Sequence, residues 1–177
     1  AVGRSGFSDG SAQRIDLPAV YNHYRRVTAV AGHDAAHEGE YAVLQPLFAT
    51  AWLIDALFAE ARDFGARSVL LSSASSKTAY ATAFCMARRA QTGLERARIV
   101  GLTSPQRMAF ARGLGVYDEL LAYDAIDRLG TDGPLAYIDF AGDAALRRAV
   151  HERFAGRLTY SCSVGGTHHD ALGSARG

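Results

Sequence analysis

The order of apolar and polar residues along the chain predicts one long helix followed by a regular alternation of strands and helices. From Pro46 onward apolar side chains recur at helical spacing, which predicts a helix that runs to about Phe64 and ends at Gly65. After this helix, short continuous apolar runs are typical of strands that are buried on both faces. Such strands are predicted at residues 68–72, 98–103, 119–123, 135–140 and 158–164.

Helices are predicted between several of these strands. Residues 78–89 carry small and apolar side chains on every side, as expected of a helix packed against a sheet. Ser104 and Pro105 supply an N-cap and a first-turn proline for a helix through Leu114, and a last helix is predicted at about residues 143–154. Because crossovers between parallel strands are right-handed, the pattern predicts an α/β fold with a doubly wound parallel sheet, the Rossmann type of dinucleotide-binding domain.

The regions of the chain follow from where this alternation begins and ends. Residues 1–45 are irregular, with scattered glycine, serine, aspartate and histidine and a possible strand or loop around Tyr21–Val30. Residues 46–166 hold the predicted Rossmann domain, and residues 167–177 form an irregular tail. We therefore expect one dinucleotide-binding domain with a flank on each side.

Composition and charge argue against several classes of function. The 177 residues are 49% hydrophobic and 21% charged with a net charge of +1, as in ordinary soluble domains. Without basic blocks or a basic amphipathic run, we expect neither a nucleic-acid partner nor a membrane surface. No apolar stretch approaches the roughly 18 residues of a membrane span, and no secretory signal is visible. Cys85 and Cys162 read as buried small hydrophobes in a reducing, cytoplasmic compartment.

The turn after the first buried strand is the most informative segment for chemistry. It reads Ser72-Ser73-Ala74-Ser75-Ser76-Lys77-Thr78-Ala79. Small residues let a backbone approach a diphosphate, and the N–H groups at the start of the next helix would face its charge. A serine-rich loop that merely caps a helix is an equal alternative. A triphosphate-binding loop is disfavoured, because Leu71 and Ser76 stand where that motif requires glycine.

The end of the second strand indicates which dinucleotide the fold would prefer. NAD-binding folds place a carboxylate there for the ribose 2′-hydroxyl, whereas this strand ends with Thr103 and Ser104, followed by Arg107. Hydroxyl groups and a guanidinium would bind a 2′-phosphate that a carboxylate would repel. The pattern favours NADP(H) over NAD(H), and a solvated surface arginine is the alternative.

Several of these segments, in this order, resemble a known superfamily. Leu47-Phe48-Ala49-Thr50-Ala51-Trp52, the Val69–Ala79 strand and turn, and Val100–Ser104 with Gly113–Asp118 are similar to zinc-independent quinone oxidoreductases of the medium-chain dehydrogenase/reductase superfamily. Asp139–Gly142 and Ser161–Gly166 continue the resemblance, which covers roughly residues 15–170. The sequence of these segments is most similar to an uncharacterised branch of the superfamily, the domain of unknown function 2855 family.

The resemblance implies a set of contacts to NADP(H). Thr50 would touch the cofactor, and the residues at the diphosphate would be Ser75, Ser76, Lys77 and Thr78. Thr103, Ser104 and Arg107 would touch the adenosine phosphate. The nicotinamide side would be lined by Ala141, Gly142, Ser163, Val164 and Gly165. The sequence departs from the family at the diphosphate turn, where Lys77 and Ala79 replace glycines.

The resemblance also implies that the chain is a fragment. Members of the superfamily have a large N-terminal catalytic domain, of which residues 1–45 would be a remnant. The expected activity is hydride transfer to an unknown small carbonyl or quinone, and the alternative is an inactive Rossmann-like binding or scaffold protein. No catalytic residue can be assigned, although Tyr21, Tyr24 and Tyr41 could face the nicotinamide. An edge strand left open could pair with a second copy in a homodimer.

Other groups of residues give weaker indications of a functional site. His33 and His37 stand four apart, a spacing that could bind zinc on one helical face, and His168-His169-Asp170 could complete such a site. Gly32 and Gly39 leave little room for that helix, so we expect a polar loop and no metal. The tyrosine-to-lysine motif of short-chain reductases is excluded at Lys77, because Ser73 stands four residues before it. The Gly-x-Ser-x-Gly elbow of hydrolases is also absent.

Overall fold

The computed structural model describes residues 2–130 and 133–165. The chain divides into two compact units, Ala1–Val43 and Leu44–Gly177. In the first unit, strand β1 (Gly6–Ser8) pairs antiparallel with strand β2 (His23–Arg25), and helix α1 is Ala19–Asn22. Phe7 stacks on Tyr24 with ring centroids 4.8 Å apart, which gives this small sheet its cross-strand contact. The irregular N-terminal region expected from the sequence therefore contains a short hairpin-like sheet.

Helix α2 is Glu38–Glu60, so the prediction that it begins at Pro46 is wrong. The helical spacing of apolar residues was followed only from Pro46 onward, and proline is most frequent in the first turn of a helix. In the structure Pro46 lies in the helix interior, where it cannot donate a backbone hydrogen bond. Thr50 Oγ1 donates to the Pro46 carbonyl oxygen at 3.0 Å. Glu38 and Glu40 in the first turn complement the positive end of the helix dipole.

A left-handed turn follows α2 before the sheet begins. Arg62, Asp63 and Phe64 have φ angles of 49°, 51° and 54°, which cost roughly 1–2 kcal/mol each for residues other than glycine. The buried Asp63 side chain accepts hydrogen bonds from Arg89 Nη2 at 2.8 Å and from the Ala97 N–H at 2.7 Å. These bonds hold the turn in place. The helix therefore ends at Glu60, before the predicted stop at Gly65.

The second unit contains a five-stranded parallel sheet flanked by helices, which confirms the predicted fold class. Its strands lie in the order β5-β4-β3-β6-β7. The strands are β3 (Ser68–Leu71), β4 (Arg98–Thr103), β5 (Glu119–Ala122), β6 (Leu135–Asp139) and β7 (Leu158–Ser163), and the helices are α3 (Lys77–Arg89), α4 (Met108–Gly113) and α5 (Ala144–Arg153). Asp143 caps α5 by accepting from the Leu146 N–H at 2.9 Å.

The core lies on both faces of this sheet. Val69 and Leu71 of β3 point into one cluster with Phe58 of α2 and Met86 of α3, while Leu70 points into the other. The opposite cluster contains Tyr137 of β6 and Val150 and Phe154 at α5. Alternate residues of one strand thus enter different cores, which explains why the strands read as continuous apolar runs.

One segment, Ala35–Glu60, is long and apolar enough to span a membrane by length and composition, with a mean hydropathy of 1.6 over 18 residues. The expectation that no stretch approaches this length is therefore wrong. Gln45, Pro46 and Asp55 interrupt the apolar run of this segment, but a membrane-spanning window tolerates isolated polar residues. In the folded chain, Ala51 and Phe58 of this helix are fully buried and pack within the second unit.

Candidate nucleotide-binding site

The sheet order creates a crevice between β3 and β6. The chain leaves β3 toward β4 on one side and leaves β6 toward β7 on the other, which makes this the topological switch point where open α/β sheets bind ligands. A cavity of about 510 Å³ lies beyond the carboxyl ends of these strands. Its lining is Leu47 and Thr50 of α2, Ser75, Ser76, Lys77 and Thr78 of the turn and α3, Phe140 after β6, and Val164 and Gly165 after β7.

Two half-buried tyrosines brace the turn after β3. Ser73 has a φ of 52°, and its N–H donates to Tyr123 Oη at 3.1 Å. Tyr117 Oη donates to the Ala74 carbonyl oxygen at 2.8 Å, and the Ala74 N–H donates to the Leu102 carbonyl oxygen at 2.8 Å. Burial raises the pKa of both phenols above the ordinary value, so both stay protonated at neutral pH. Side chains from β5 and its flanks thus fix a turn that lacks the usual glycines.

A glycine in the neighbouring strand, Gly101 of β4, nevertheless leaves room for this turn. A Cβ atom at Gly101 of β4 would lie 2.8 Å from Ala74 Cβ, 2.9 Å from Tyr117 Cδ1 and 2.7 Å from Leu120 Cδ2. Those distances are shorter than real carbon contacts allow. The missing side chain at Gly101 is therefore what lets Ala74 and Tyr117 pack against the sheet.

The start of α3 offers hydrogen-bond donors to the cavity. The first N–H groups of a helix have no partner within the helix, and α3 begins at Lys77. Ser76 occupies the N-cap position, yet its side chain makes no capping bond. Its Oγ atom is buried and has no partner among the described residues. An orphaned hydroxyl, free helix-end N–H groups and the Lys77 ammonium fit a diphosphate at this end of the cavity.

A buried network joins the two strands at the crevice. Ser72 Oγ donates to Asp139 Oδ1 at 2.9 Å and accepts from the Phe140 and Ala141 N–H groups at 2.9 and 3.0 Å. The Ala141 and Gly142 N–H groups also donate to Asp139 Oδ1. Asp139 Oδ2 lies 3.3 Å from Arg147 Nη1 of α5. These contacts fix the wall of the crevice formed by the end of β6.

The structure brings together seven of the residues named from the sequence, namely Thr50, Ser75, Ser76, Lys77, Thr78, Val164 and Gly165. Thr103 is buried and donates to Ser75 Oγ at 3.3 Å, so it supports the turn from behind. Ser104 is half-buried and Arg107 is exposed in the turn after β4. Ala141 and Gly142 are buried with their N–H groups engaged by Asp139, and Ser163 Oγ accepts from Arg147 Nη1 at 3.3 Å.

Four side chains that shape this site were not predicted from the sequence. Leu47 and Phe140 line the cavity, and Tyr117 and Tyr123 hold its turn. Leu47 stands one helical turn before Thr50, so helical spacing could have found it. The tyrosines act across 43 and 50 residues, and no local pattern signals such contacts.

The histidine pair His33 and His37 lies in the first unit, at and before the start of α2. Within residues 2–130 and 133–165, no three histidine, cysteine, aspartate or glutamate side chains are placed to share a metal ion. His37 Nδ1 lies 2.8 Å from Asp34 Oδ2, and the His33 ring lies near Tyr41. His168, His169 and Asp170 lie outside the described residues.

Comparisons with known proteins extend this description. The family model described as "Protein of unknown function (DUF2855)" matches residues 1–176. No curated protein matches the chain. Among solved structures, the quinone oxidoreductase from Coxiella burnetii is similar with 14% sequence identity and a TM-score of 0.40. The similarity covers 66% of this chain and 41% of that chain, so the chain spans less than half the length of that protein.

Proposed function

We propose that this chain, which belongs to the family "Protein of unknown function (DUF2855)", is the NADP(H)-binding domain of a reductase that resembles zinc-independent quinone oxidoreductases. The supporting observation is the 510 Å³ cavity at the switch point, which gathers the turn after β3, Thr50 of α2 and the chain after β7. NADPH supplies a hydride, and the proposed acceptor is a small carbonyl or quinone. The chain's own residues bind and orient the dinucleotide.

The diphosphate would lie at the start of α3. There the helix dipole, the free N–H groups and the Lys77 ammonium all favour negative charge. Ser76 Oγ, buried without a partner among the described residues, would donate a hydrogen bond that it now lacks. Ser75 and Thr78 would add hydroxyl groups, and Thr50 would contact the cofactor from α2.

The adenosine 2′-phosphate would lie beyond the end of β4. The segment Thr103-Ser104-Pro105-Gln106-Arg107 contains no carboxylate that would repel it. Arg107 is exposed and Ser104 half-buried, so both can reach a ligand, while Thr103 supports the turn through Ser75. This arrangement favours NADP(H) over NAD(H).

The nicotinamide would lie on the side of β6 and β7. Phe140 and Val164 give the cavity an apolar wall there, and Gly165 lets backbone approach the ligand. Ala141, Gly142 and Ser163 shape this wall through the network that Asp139 and Arg147 organise. An apolar wall on this side would orient the ring and exclude water from the hydride path.

Replacement of Arg107 by alanine tests the cofactor assignment. We expect the dissociation constant for NADPH to rise about 10- to 100-fold, the effect of losing one charged hydrogen-bond partner. The constant for NADH should change less than about twofold, because NADH has no 2′-phosphate. Isothermal titration calorimetry measures both. Arg112→Ala, an exposed arginine on the same helical segment, is the matched control.

An equal loss of affinity for both cofactors in Arg107→Ala would contradict the 2′-phosphate assignment. An unchanged NADPH affinity would contradict it equally. If wild-type protein binds neither cofactor, the proposed function itself fails.

A second candidate function is a Rossmann-like binding or scaffold protein without turnover. The observation that favours it is that, among the described residues that line the cavity, Lys77 is the one with a titratable side chain. A general acid would then have to come from elsewhere. Oxidation of NADPH with a panel of small quinones, followed at the NADPH absorbance, distinguishes the two candidates. Binding without oxidation would favour the scaffold.

A further inference from the structure

Helix α2 presents large apolar side chains to solvent. Leu44, Phe48, Trp52, Leu53 and Leu57 are between 40% and 61% exposed, and we call these five residues the α2 face. Single exposed apolar residues are common in proteins, but five on one helix form a continuous surface. Such a surface is typical of an interface.

The α2 face has the shape of a groove between two ridges. Phe48 and Trp52 stand four residues apart and form one ridge, and Leu53 and Leu57 form the other. By helical spacing, the exposed alanines Ala49 and Ala56 lie between the ridges. A second helix can therefore approach closely and place its own ridge in this groove.

Charge excludes a lipid surface as the preferred occupant. Helix α2 carries Glu38, Glu40, Asp55 and Glu60 and no lysine or arginine, whereas helices that lie on membranes are rich in basic residues. Asp55 is paired with Arg89 at 2.8 Å, within the folded unit. The remaining acidic residues lie at the two ends of the helix. The middle of the α2 face is therefore uncharged. The acidic residues at the two ends of the helix disfavour contact with anionic headgroups.

A second copy of the chain can cover the α2 face. Two copies of α2 that cross in the commonest packing, at roughly −50°, interdigitate rows of residues four apart and diverge at their ends. Divergence keeps the acidic ends of the two helices apart. The five side chains expose on the order of 500 Å² of apolar surface, over half of what each partner gives to a stable dimer. The face is thus self-complementary in shape, charge and size.

We propose that the chain forms a twofold dimer in which the α2 faces of two copies pack against each other. By helical spacing, Leu47 of the nucleotide cavity lies on a different side of α2 from the α2 face, whereas Thr50 lies beside Leu53 and Leu57 at the edge of that face. The dimer interface would therefore end next to the cavity wall formed by α2. This interface goes beyond the proposed cofactor binding and does not depend on it.

The sole tryptophan of the chain, Trp52, reports on this interface without modification. We expect its fluorescence maximum to shift to longer wavelength as the protein is diluted from about 200 to about 1 μM, because dissociation exposes the indole ring. Sedimentation velocity over the same series should show a dimer that dissociates. A monomer throughout the series, with constant emission, would overturn the proposal.

Leu53→Glu tests the position of the interface. A carboxylate in the centre of the face should raise the dimer dissociation constant at least about 100-fold. Leu94→Glu is the matched control, since Leu94 is 58% exposed and lies outside α2. Circular dichroism verifies that both variants are folded. A Leu53→Glu protein that dimerises as well as wild type would contradict the assignment.

A vesicle arm distinguishes the lipid alternative. We expect no co-flotation of wild-type protein with phosphatidylcholine vesicles, with or without phosphatidylserine, and no change of Trp52 emission on their addition. A monomer that floats with either vesicle would overturn the dimer in favour of a membrane surface.

Discussion

Ser72→Ala removes the hydroxyl group at the centre of the network that joins β3 to β6. Ser72 is fully buried, and its Oγ atom makes one bond to Asp139 and accepts two backbone N–H groups. After the substitution, the Phe140 N–H loses the side-chain acceptor that now satisfies it. The Ala141 N–H keeps Asp139 Oδ1 at 3.1 Å. The change therefore orphans one buried donor and takes one donor from a buried carboxylate.

The expected loss of stability follows from these two effects. An unsatisfied buried N–H costs about 1–3 kcal/mol, and a hydrogen bond to a charged group contributes about 1.5–3 kcal/mol. Partial relaxation of the crevice offsets some of this, so we expect the free energy of unfolding to fall by about 3 kcal/mol. For a domain of this size the melting temperature should drop by about 6–12 °C.

Urea unfolding followed by circular dichroism measures this loss. Ser68→Ala is the control, because Ser68 lies on the same strand and is only half-buried. We expect it to change the free energy of unfolding by less than about 0.5 kcal/mol. A loss in Ser72→Ala of under about 1 kcal/mol, or one equal to the control, would refute the reasoning from the buried network.

Two further changes test the braced turn and the electrostatics of β4. Gly101→Ala should lower the free energy of unfolding by about 1–3 kcal/mol and weaken NADPH binding, because its Cβ would displace Ala74 and Tyr117. Urea unfolding and calorimetry measure the two effects. Unchanged stability and binding would show that Ala74 and Tyr117 can move aside. Burial pulls the pKa of Asp118 upward, but hydrogen bonds from Arg96 and the Ile99 N–H and the charges of Arg96 and Arg98 outweigh it and leave the pKa below the ordinary value. A carboxyl group whose pKa is lower in the folded than in the unfolded protein stabilises the folded state at pH values above its unfolded pKa of about 4. This stabilisation is lost as the pH falls through the pKa of the folded state. The difference in unfolding free energy between wild type and Asp118→Asn, about 1 kcal/mol at pH 7 for this partly exposed pair, should therefore shrink below about pH 4, and a constant difference would contradict the assignment.

The strands and their order along the chain could be predicted from the sequence because the three central strands, β3, β4 and β6, are buried on both faces. Such strands give continuous apolar runs, and the observed bounds of β3, β5, β6 and β7 differ from the prediction by one residue at the carboxyl end. The meeting of the Ser75–Thr78 turn with Val164 at one edge of the sheet follows from parallel topology alone. The coarse position of the candidate site was therefore predictable.

Other features depend on tertiary contacts that override local preference. Pro46 inside α2 and the left-handed Arg62–Phe64 turn both contradict the residue types involved. The turn is stabilised by hydrogen bonds to Asp63 from Arg89 and from the Ala97 N–H, which lie 26 and 34 residues further along the chain. The tyrosine brace of the nucleotide turn is equally non-local. Sequence periodicity reports burial along one element and carries no information about such partners.

The hydrogen bond from Ser72 to Asp139 joins positions 67 residues apart. A ribosome synthesises β3, β4 and β5 before it adds Asp139, the aspartate that orders the far wall of the crevice. Loop closure over this distance is slow compared with the pairing of neighbouring segments. The crevice is therefore incomplete until β6 has been synthesised and has docked beside β3, so a ligand meets a complete site only on molecules in which this pairing has formed.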